Sequence, residues 1–162
     1  MASAYPVVVT STPIHRILRR VARGMTTARD LMTPDPRRVR SSEPVLAAAV
    51  AMAEAGVGAL PVCGEDDRLT GMITDRDIVV SVLAAGKDPR AVHVGELAGG
   101  SPVTIGADDD VADLLRTMVD HRVRRLPVVD GDRLVGLVAV ADVARHCDDD
   151  QVGLLLEALS AE

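Results

Sequence analysis

The sequence contains one internal repeat, and this repeat constrains the fold more than any other feature. The segment "GVGALPV" at 56–62 and the segment "RVRRLPV" at 122–128 share Val, Leu, Pro and Val at one spacing, 66 positions apart. The match extends in both directions, with one residue lost in a turn, and pairs Met52 with Met118, Pro36 with Pro102, Gly71 with Gly136 and Asp77 with Asp142. A repeat of about 60 residues indicates one structural unit that occurs twice.

Each repeat predicts the order short helix, strand, helix, strand, turn, strand, helix. In the second copy, aspartates at 108–110 precede an apolar helical face, and acidic residues favour the start of a helix. The strands "RLPVV" and "RLVGLVAV" follow, joined by the turn signal Asp130-Gly131-Asp132. A unit of this size cannot bury both faces of its sheet. We therefore predict an α/β (α+β) fold in which two β-α-β-β-α repeats pack sheet to sheet about a pseudo-twofold axis.

The chain of 162 residues is long enough for one compact unit. Its core must be built from aliphatic side chains, because the sequence has no Trp, no Phe and one Tyr. We divide the chain into a basic N-terminal extension at 1–24, a first repeat at 25–90, a second repeat at 91–147 and a C-terminal helical tail at 148–162.

Both ends of the chain carry helical patterns outside the repeats. Residues 1–24 contain four arginines and no acidic residue, and the apolar residues from Ile14 to Val21 follow helical spacing. This pattern predicts either a short basic amphipathic helix that docks on the body or on an acidic partner, or a frayed extension. The leucines between Leu154 and Leu159 favour docking of the tail on the body or on a second subunit.

Composition and motifs exclude several classes of function. Two cysteines and the absence of a secretory signal predict a cytoplasmic protein, and no apolar run is long enough to span a membrane. The net charge of −6 argues against nucleic-acid binding. No nucleophile with its base and no phosphate-binding loop occurs, so we predict neither catalytic residues nor an enzyme. Residue types that can ligate metals lie close together at His146, Cys147 and the aspartates that follow. An acidic segment at the end of a helix explains them better, so we predict no metal site.

The ends of the two repeats carry a pattern that points to a family. The strands "ALPV" and "RLPVV" and the closing segments "GMITDRDI" and "GLVAVADV" occur together with the β-α-β-β-α order in each copy. In these features the chain resembles the tandem CBS-domain pair, also called the Bateman module, from Thr26 to His146. The resemblance implies the same fold that the repeat predicts.

The resemblance also implies ligand roles for particular residues. In this family the aspartate after the last strand holds the ribose hydroxyls of an adenine nucleotide, and a Thr or Ser three residues earlier holds a phosphate. These roles would fall to Asp77 and Thr74 in the first repeat. Asp142 matches in the second repeat, but Ala139 stands in the position of Thr74 and offers no hydroxyl. Thr and Asp at a strand-to-helix junction are also common helix caps, so a purely structural role stays open.

In this family both repeats contribute to each ligand cleft. Adenine would lie against the first strand of one repeat and the segment before its Leu-Pro-Val. The residues in these places are Val39, Val57 and Gly58 for the cleft that holds Asp142, and Ile105 and Val123 for the cleft that holds Asp77. The valines and isoleucines are equally well explained as core residues. Arg124 and Arg125 precede the second Leu-Pro-Val and are predicted either to contact phosphate or to form a solvated, ion-paired face.

The resemblance implies a non-catalytic regulatory protein that binds an adenine nucleotide or an adenosyl ligand and signals occupancy to a protein target that the sequence does not identify. AMP, ADP, ATP and S-adenosylmethionine are the expected ligands, no cofactor is required, and a homodimer is expected. The alternative is a structural or interaction dimer whose clefts bind nothing. Ala139 favours this alternative, and the pair Thr74 and Asp77 opposes it.

Overall fold

The computed structural model describes residues 27–147 and 149–160, so the basic extension predicted at 1–24 lies outside the described residues. The helices are α1 (Ala28–Leu31), α2 (Val45–Ala55), α3 (Asp75–Ile78), which continues as a π-helical segment (Val79–Leu83), α4 (Val94–Leu97), α5 (Val111–Asp120), α6 (Val140–His146) and α7 (Asp149–Ser160). The strands are β1 (Thr33–Pro34), β2 (Val39–Arg40), β3 (Ala59–Cys63), β4 (Leu69–Thr74), β5 (Ile105–Gly106), β6 (Arg125–Asp130) and β7 (Arg133–Ala139).

The strands form two sheets, one for each repeat. One sheet has the order β2-β3-β4 and the other has the order β1-β7-β6-β5. In each sheet a long antiparallel hairpin, β3–β4 or β6–β7, pairs in parallel with a two-residue strand, β2 or β5. Both hairpins shift register at equivalent positions, between Val62 and Cys63 and between Val128 and Val129. The predicted mixed fold with two related sheets is therefore confirmed.

The two repeats exchange their first helices. The amide of Ala28 donates to the carbonyl oxygen of Asp109 over 2.9 Å, and the equivalent amide of Val94 donates to the carbonyl oxygen of Glu43 over 2.9 Å. Helix α1 thus packs on the core of the second repeat, and α4 packs on the core of the first. Strand β1 follows α1 and pairs with β7. The matching hydrogen bonds show the pseudo-twofold relation between the repeats.

A glycine in each hairpin makes room for the exchanged helix. A Cβ atom on Gly71 would collide with the carbonyl oxygen of Ala98, just after α4. A Cβ atom on the equivalent Gly136 would collide with the side chain of Met32, just after α1. The repeated glycine in the sequence therefore marks the place where the other repeat's segment crosses the strand.

Each repeat has its own aliphatic core, and α7 extends the second one. Leu155 of α7 has no exposed surface and lies in the core of the second repeat together with Val143 of α6 and Leu114 of α5. The first repeat instead presents an apolar surface on α2 and the π-helical segment. We call this surface the first-repeat helical face; its side chains are 36% to 54% exposed and comprise Leu46, Val50, Val79, Val80 and Leu83.

Candidate functional site

A cavity of about 440 Å³ lies between the repeats, and we call it the Asp142 cleft. The first repeat contributes apolar residues, among them Val57 and Leu60. The second repeat contributes Arg125, Asp142 and Arg145. Its volume falls within the range of small-molecule sites, and such sites combine apolar walls with a few polar groups.

The carboxylate of Asp142 is the most buried charged group described in the chain. Asp142 is 7% exposed and lies in the first turn of α6. Its Oδ2 accepts from the amide of Ala139 over 2.8 Å, and its Oδ1 accepts from Nη1 of Arg145 over 2.7 Å. A carboxylate offers about four lone-pair positions, so two bonds from the protein leave room for two further donors. Vicinal hydroxyl groups of a sugar supply two such donors.

The equivalent pair in the first repeat forms a closed helix cap. Oδ2 of Asp77 accepts from the amide of Thr74 over 2.9 Å and from its hydroxyl over 2.6 Å. The amide of Asp77 in turn donates to Oγ1 of Thr74 over 3.1 Å. The sequence left open whether these two residues cap a helix, and in the structure they do. The roles of Thr74 and Asp77 in ligand binding stay predictions.

Of the residues predicted by sequence, the structure brings Val57, Arg125 and Asp142 together in one cavity. Val39 is not among the residues that line this cavity; it is 4% exposed and lies in the core of the first repeat. Gly58 contacts the segment that leaves β4 instead, since its carbonyl oxygen accepts from the amide of Asp75 over 3.0 Å.

The remaining predicted residues lie elsewhere. Ile105 is buried in the core of the second repeat, and Val123 packs against the same core. Arg124 is exposed, and its carbonyl oxygen accepts from the amide of Val140 over 3.1 Å. A ligand role for these three residues stays a prediction for the cleft that would hold Asp77.

Two arginines of the cleft were missed from the sequence. Arg145 lies three residues after Asp142, a spacing that places both on one side of a helix, so this signal was present. Arg37 follows β1 and lines the same cavity, and its Nη2 bonds with Oε2 of Glu54 over 2.7 Å. No local pattern marks Arg37, because its position depends on the exchange that pairs β1 with β7.

Other chemistries find less support in the described residues. Cys63 has no exposed surface, and burial raises the pKa of its thiol, which is the reverse of what an activated nucleophile needs. Between residues 27 and 160, leaving out residue 148 and the side chains of residues 150, 151 and 154, no group of three or more His, Cys, Asp or Glu side chains could hold a metal ion. Over the same residues no helix is long and apolar enough to cross a membrane.

The fold defines a tandem-repeat α+β module with a cleft between its repeats, and comparison with known proteins identifies its family. The model of the CBS domain matches residues 28–84 and 94–149. The chain belongs to the CBS-domain family, as a tandem pair, and the resemblance seen in the sequence is confirmed.

The chain is similar to a hypoxic response protein both in sequence and in structure. Hypoxic response protein 1 of Mycobacterium tuberculosis is 47% identical over 135 residues, which cover 83% of this chain and 94% of that protein. A crystal structure of Hypoxic Response Protein I, described as having two coordinated zinc ions, has a TM-score of 0.70 at 50% identity and covers 75% of this chain and 98% of that one.

Two further solved structures contain adenosyl compounds. CBSX2 in complex with AMP has a TM-score of 0.63 at 29% identity, over 74% of this chain and 93% of that one. The CBS pair of MJ0100, in complex with 5′-methylthioadenosine and S-adenosyl-L-methionine, has a TM-score of 0.66 at 27% identity, over 75% of this chain and 94% of that one.

Proposed function

We propose that this protein is a non-catalytic, cytoplasmic regulator that binds an adenine nucleotide or a related adenosyl ligand in the Asp142 cleft and passes occupancy to a partner protein. The observation that carries the proposal is a buried carboxylate, with acceptor capacity to spare, in a cavity lined by both repeats. The complexes of CBSX2 with AMP and of MJ0100 with adenosyl ligands support it.

In this proposal the ribose hydroxyls donate to the carboxylate of Asp142. Adenine lies against the exposed apolar side chain of Val57, and phosphate groups face Arg125 and Arg145. Because both repeats line the cavity, a bound ligand would link them, and a change in their packing is the signal that a partner could read.

The relative importance of the two clefts is a further part of the proposal. The sequence alone favours Asp77, because Thr74 supplies a hydroxyl that Ala139 lacks. In the structure this hydroxyl already donates to Asp77, so a ligand would have to replace an existing bond. We therefore propose that the Asp142 cleft binds the nucleotide more tightly than the cleft at Asp77.

Calorimetry with AMP on two matched variants tests this proposal. Asp142→Asn and Asp77→Asn each weaken an equivalent helix cap, so their effects on folding are comparable. Asp142→Asn should weaken AMP binding about tenfold or more, because it removes a charged acceptor, and Asp77→Asn should cost less. If the wild type binds none of AMP, ADP, ATP and S-adenosylmethionine at millimolar concentration, the proposal fails. A larger loss of AMP affinity from Asp77→Asn would show that the cleft at Asp77 binds more tightly, as the sequence alone favours.

The first-repeat helical face favours a second candidate function, a homodimer whose association is itself the signal. This face is apolar only in the first repeat, since the second repeat has Arg116 and Arg145 in the positions of Val50 and Val80. An exposed apolar cluster of this kind is typical of an interface, and we propose a second copy of the chain as the occupant, each face covering the other.

Light scattering after size exclusion tests the homodimer. Val50→Glu should shift the protein from dimer to monomer, because the interface would bury an unpaired charge. Leu156→Glu is the control, since Leu156 is a comparably exposed apolar residue on α7, outside the face. A wild-type monomer, or equal effects of both substitutions, would remove this candidate. In that outcome the nucleotide proposal would stand alone.

A further inference from the structure

The internal repeat allows the two clefts of this molecule to be compared residue by residue. Arg37 and Arg145 line the Asp142 cleft. The equivalent positions in the other repeat carry Val103 and Val80, so the cleft at Asp77 lacks both positive charges. This difference lies within one chain and therefore does not depend on any relative.

The positive charges of the Asp142 cleft outnumber its negative charge. Arg37, Arg125 and Arg145 line the cavity, and Asp142 is the one acidic residue among its lining residues. Glu54, outside the lining, pairs with Arg37 over 2.7 Å, so the three positive charges face two negative ones and one positive charge is in excess. The chain as a whole carries a formal net charge of −6, so the cleft is a local positive site on an acidic protein. A cleft with an excess of one sign of charge concentrates ligands of the opposite sign.

The donors of these arginines are only partly used. Arg145 bonds with Asp142 through Nη1, and its side chain is 67% exposed. Among the described residues, no side-chain hydrogen bond or ion pair engages the guanidinium group of Arg125. A guanidinium group has five N–H donors in a planar arrangement that matches phosphate oxygens. The cleft thus has free donors for an anion beside the carboxylate that would hold the ribose.

From these observations we infer that the Asp142 cleft selects phosphorylated adenine nucleotides over uncharged and cationic adenosyl ligands, and that Arg145 determines this selection. The inference rests on the proposed function and narrows its ligand class. AMP and ADP bring negative charge to the arginines, whereas 5′-methylthioadenosine brings none. S-adenosylmethionine brings a sulfonium cation, which the arginines repel.

The test replaces Arg145 by the residue that the first repeat has in its place. Arg145→Val should weaken ADP binding about tenfold and change adenosine binding by less than about threefold, because only the phosphates lose a charged donor. The control is Arg116→Val, which also installs the first-repeat residue and also removes one positive charge from an exposed helical position, but outside the cavity. This control should leave the affinity for both ligands unchanged.

Calorimetry on the full chain, with AMP, ADP, adenosine, 5′-methylthioadenosine and S-adenosylmethionine at two salt concentrations, distinguishes the outcomes. The inference predicts that ADP binds most tightly, that S-adenosylmethionine binds most weakly, and that added salt weakens ADP binding more in the wild type than in Arg145→Val. Equal affinities for AMP and 5′-methylthioadenosine, or equal effects of the two arginine substitutions, would overturn the inference and leave the proposed function intact. If none of the five compounds binds, both fall together.

Discussion

Helix α7 packs on the core of the second repeat through Leu155, with Leu159 partly buried against the same core, and the contribution of Leu155 can be tested. Leu155 has no exposed surface and lies in the core between α5 and α6, whereas its neighbour Leu156 is 45% exposed. Leu155→Ala removes three buried carbon atoms and leaves a cavity. Substitutions of this kind cost 2–5 kcal/mol in well-packed cores, and we expect about 3 kcal/mol here.

The assay is equilibrium unfolding in urea together with scanning calorimetry. A loss of about 3 kcal/mol should lower the melting temperature of a chain of this size by roughly 9 °C. Leu156→Ala is the matched control, because it makes the same chemical change one residue along the same helix; it should cost less than about 1 kcal/mol. If Leu155→Ala costs no more than Leu156→Ala, α7 does not dock through Leu155 and the reasoning is refuted.

Other predictions concern the exchanged helices and the buried thiol. Gly71→Ala should lower the free energy of unfolding, measured by urea titration, by about 2 kcal/mol, because the new methyl group meets the backbone oxygen of Ala98. Gly136→Ala should lower it by less, because its methyl group meets a flexible methionine side chain. Equal losses would contradict this account. Cys63 should react with iodoacetamide far more slowly in the folded protein than in urea, and rapid labelling of Cys63 itself, resolved from Cys147 by peptide mapping, would show that the strand opens. Because burial raises the pKa of this thiol, the unfolded chain releases the proton first as the pH rises. The free energy of unfolding should therefore decline above a pH of about 8.5, the pKa of an unperturbed thiol, and Cys63→Ala should lack that part of the decline.

The internal repeat made much of the fold predictable. The matched strands predicted the two hairpins and the pseudo-twofold relation. The repeat also pairs Gly71 with Gly136, but the close approach at these glycines is seen only in the structure. The exchange of first helices was not predictable in the same way. The segment at 28–31 buries Ala28 and Leu31, but no local feature of its sequence indicates which of the two cores these side chains join.

The cleft was predicted in part, for a related reason. Asp142, Val57 and Arg125 were identified from repeat position and family resemblance, and the structure places them around one cavity. The ranking of the two clefts depended on the hydroxyl of Thr74, and a sequence does not show that this hydroxyl is already bonded to Asp77. Arg145 was overlooked because the family pattern ends at the aspartate, although helical spacing placed it beside Asp142.

The exchange of first helices also separates the sequence repeat from the folding unit. The half of the molecule built on β2, β3 and β4 is continuous, since the chain from Val39 to Ala98 supplies all its strands and its docked helix. The other half is discontinuous, because residues 28–34 must return to strands that lie about a hundred positions further on. During synthesis the first half can therefore close as soon as α4 has left the ribosome, while α1, made earlier, has to wait for the end of the chain. A nick at Gly99–Gly100 would yield two fragments, and the later one could complete its core only by capturing α1 from the earlier one.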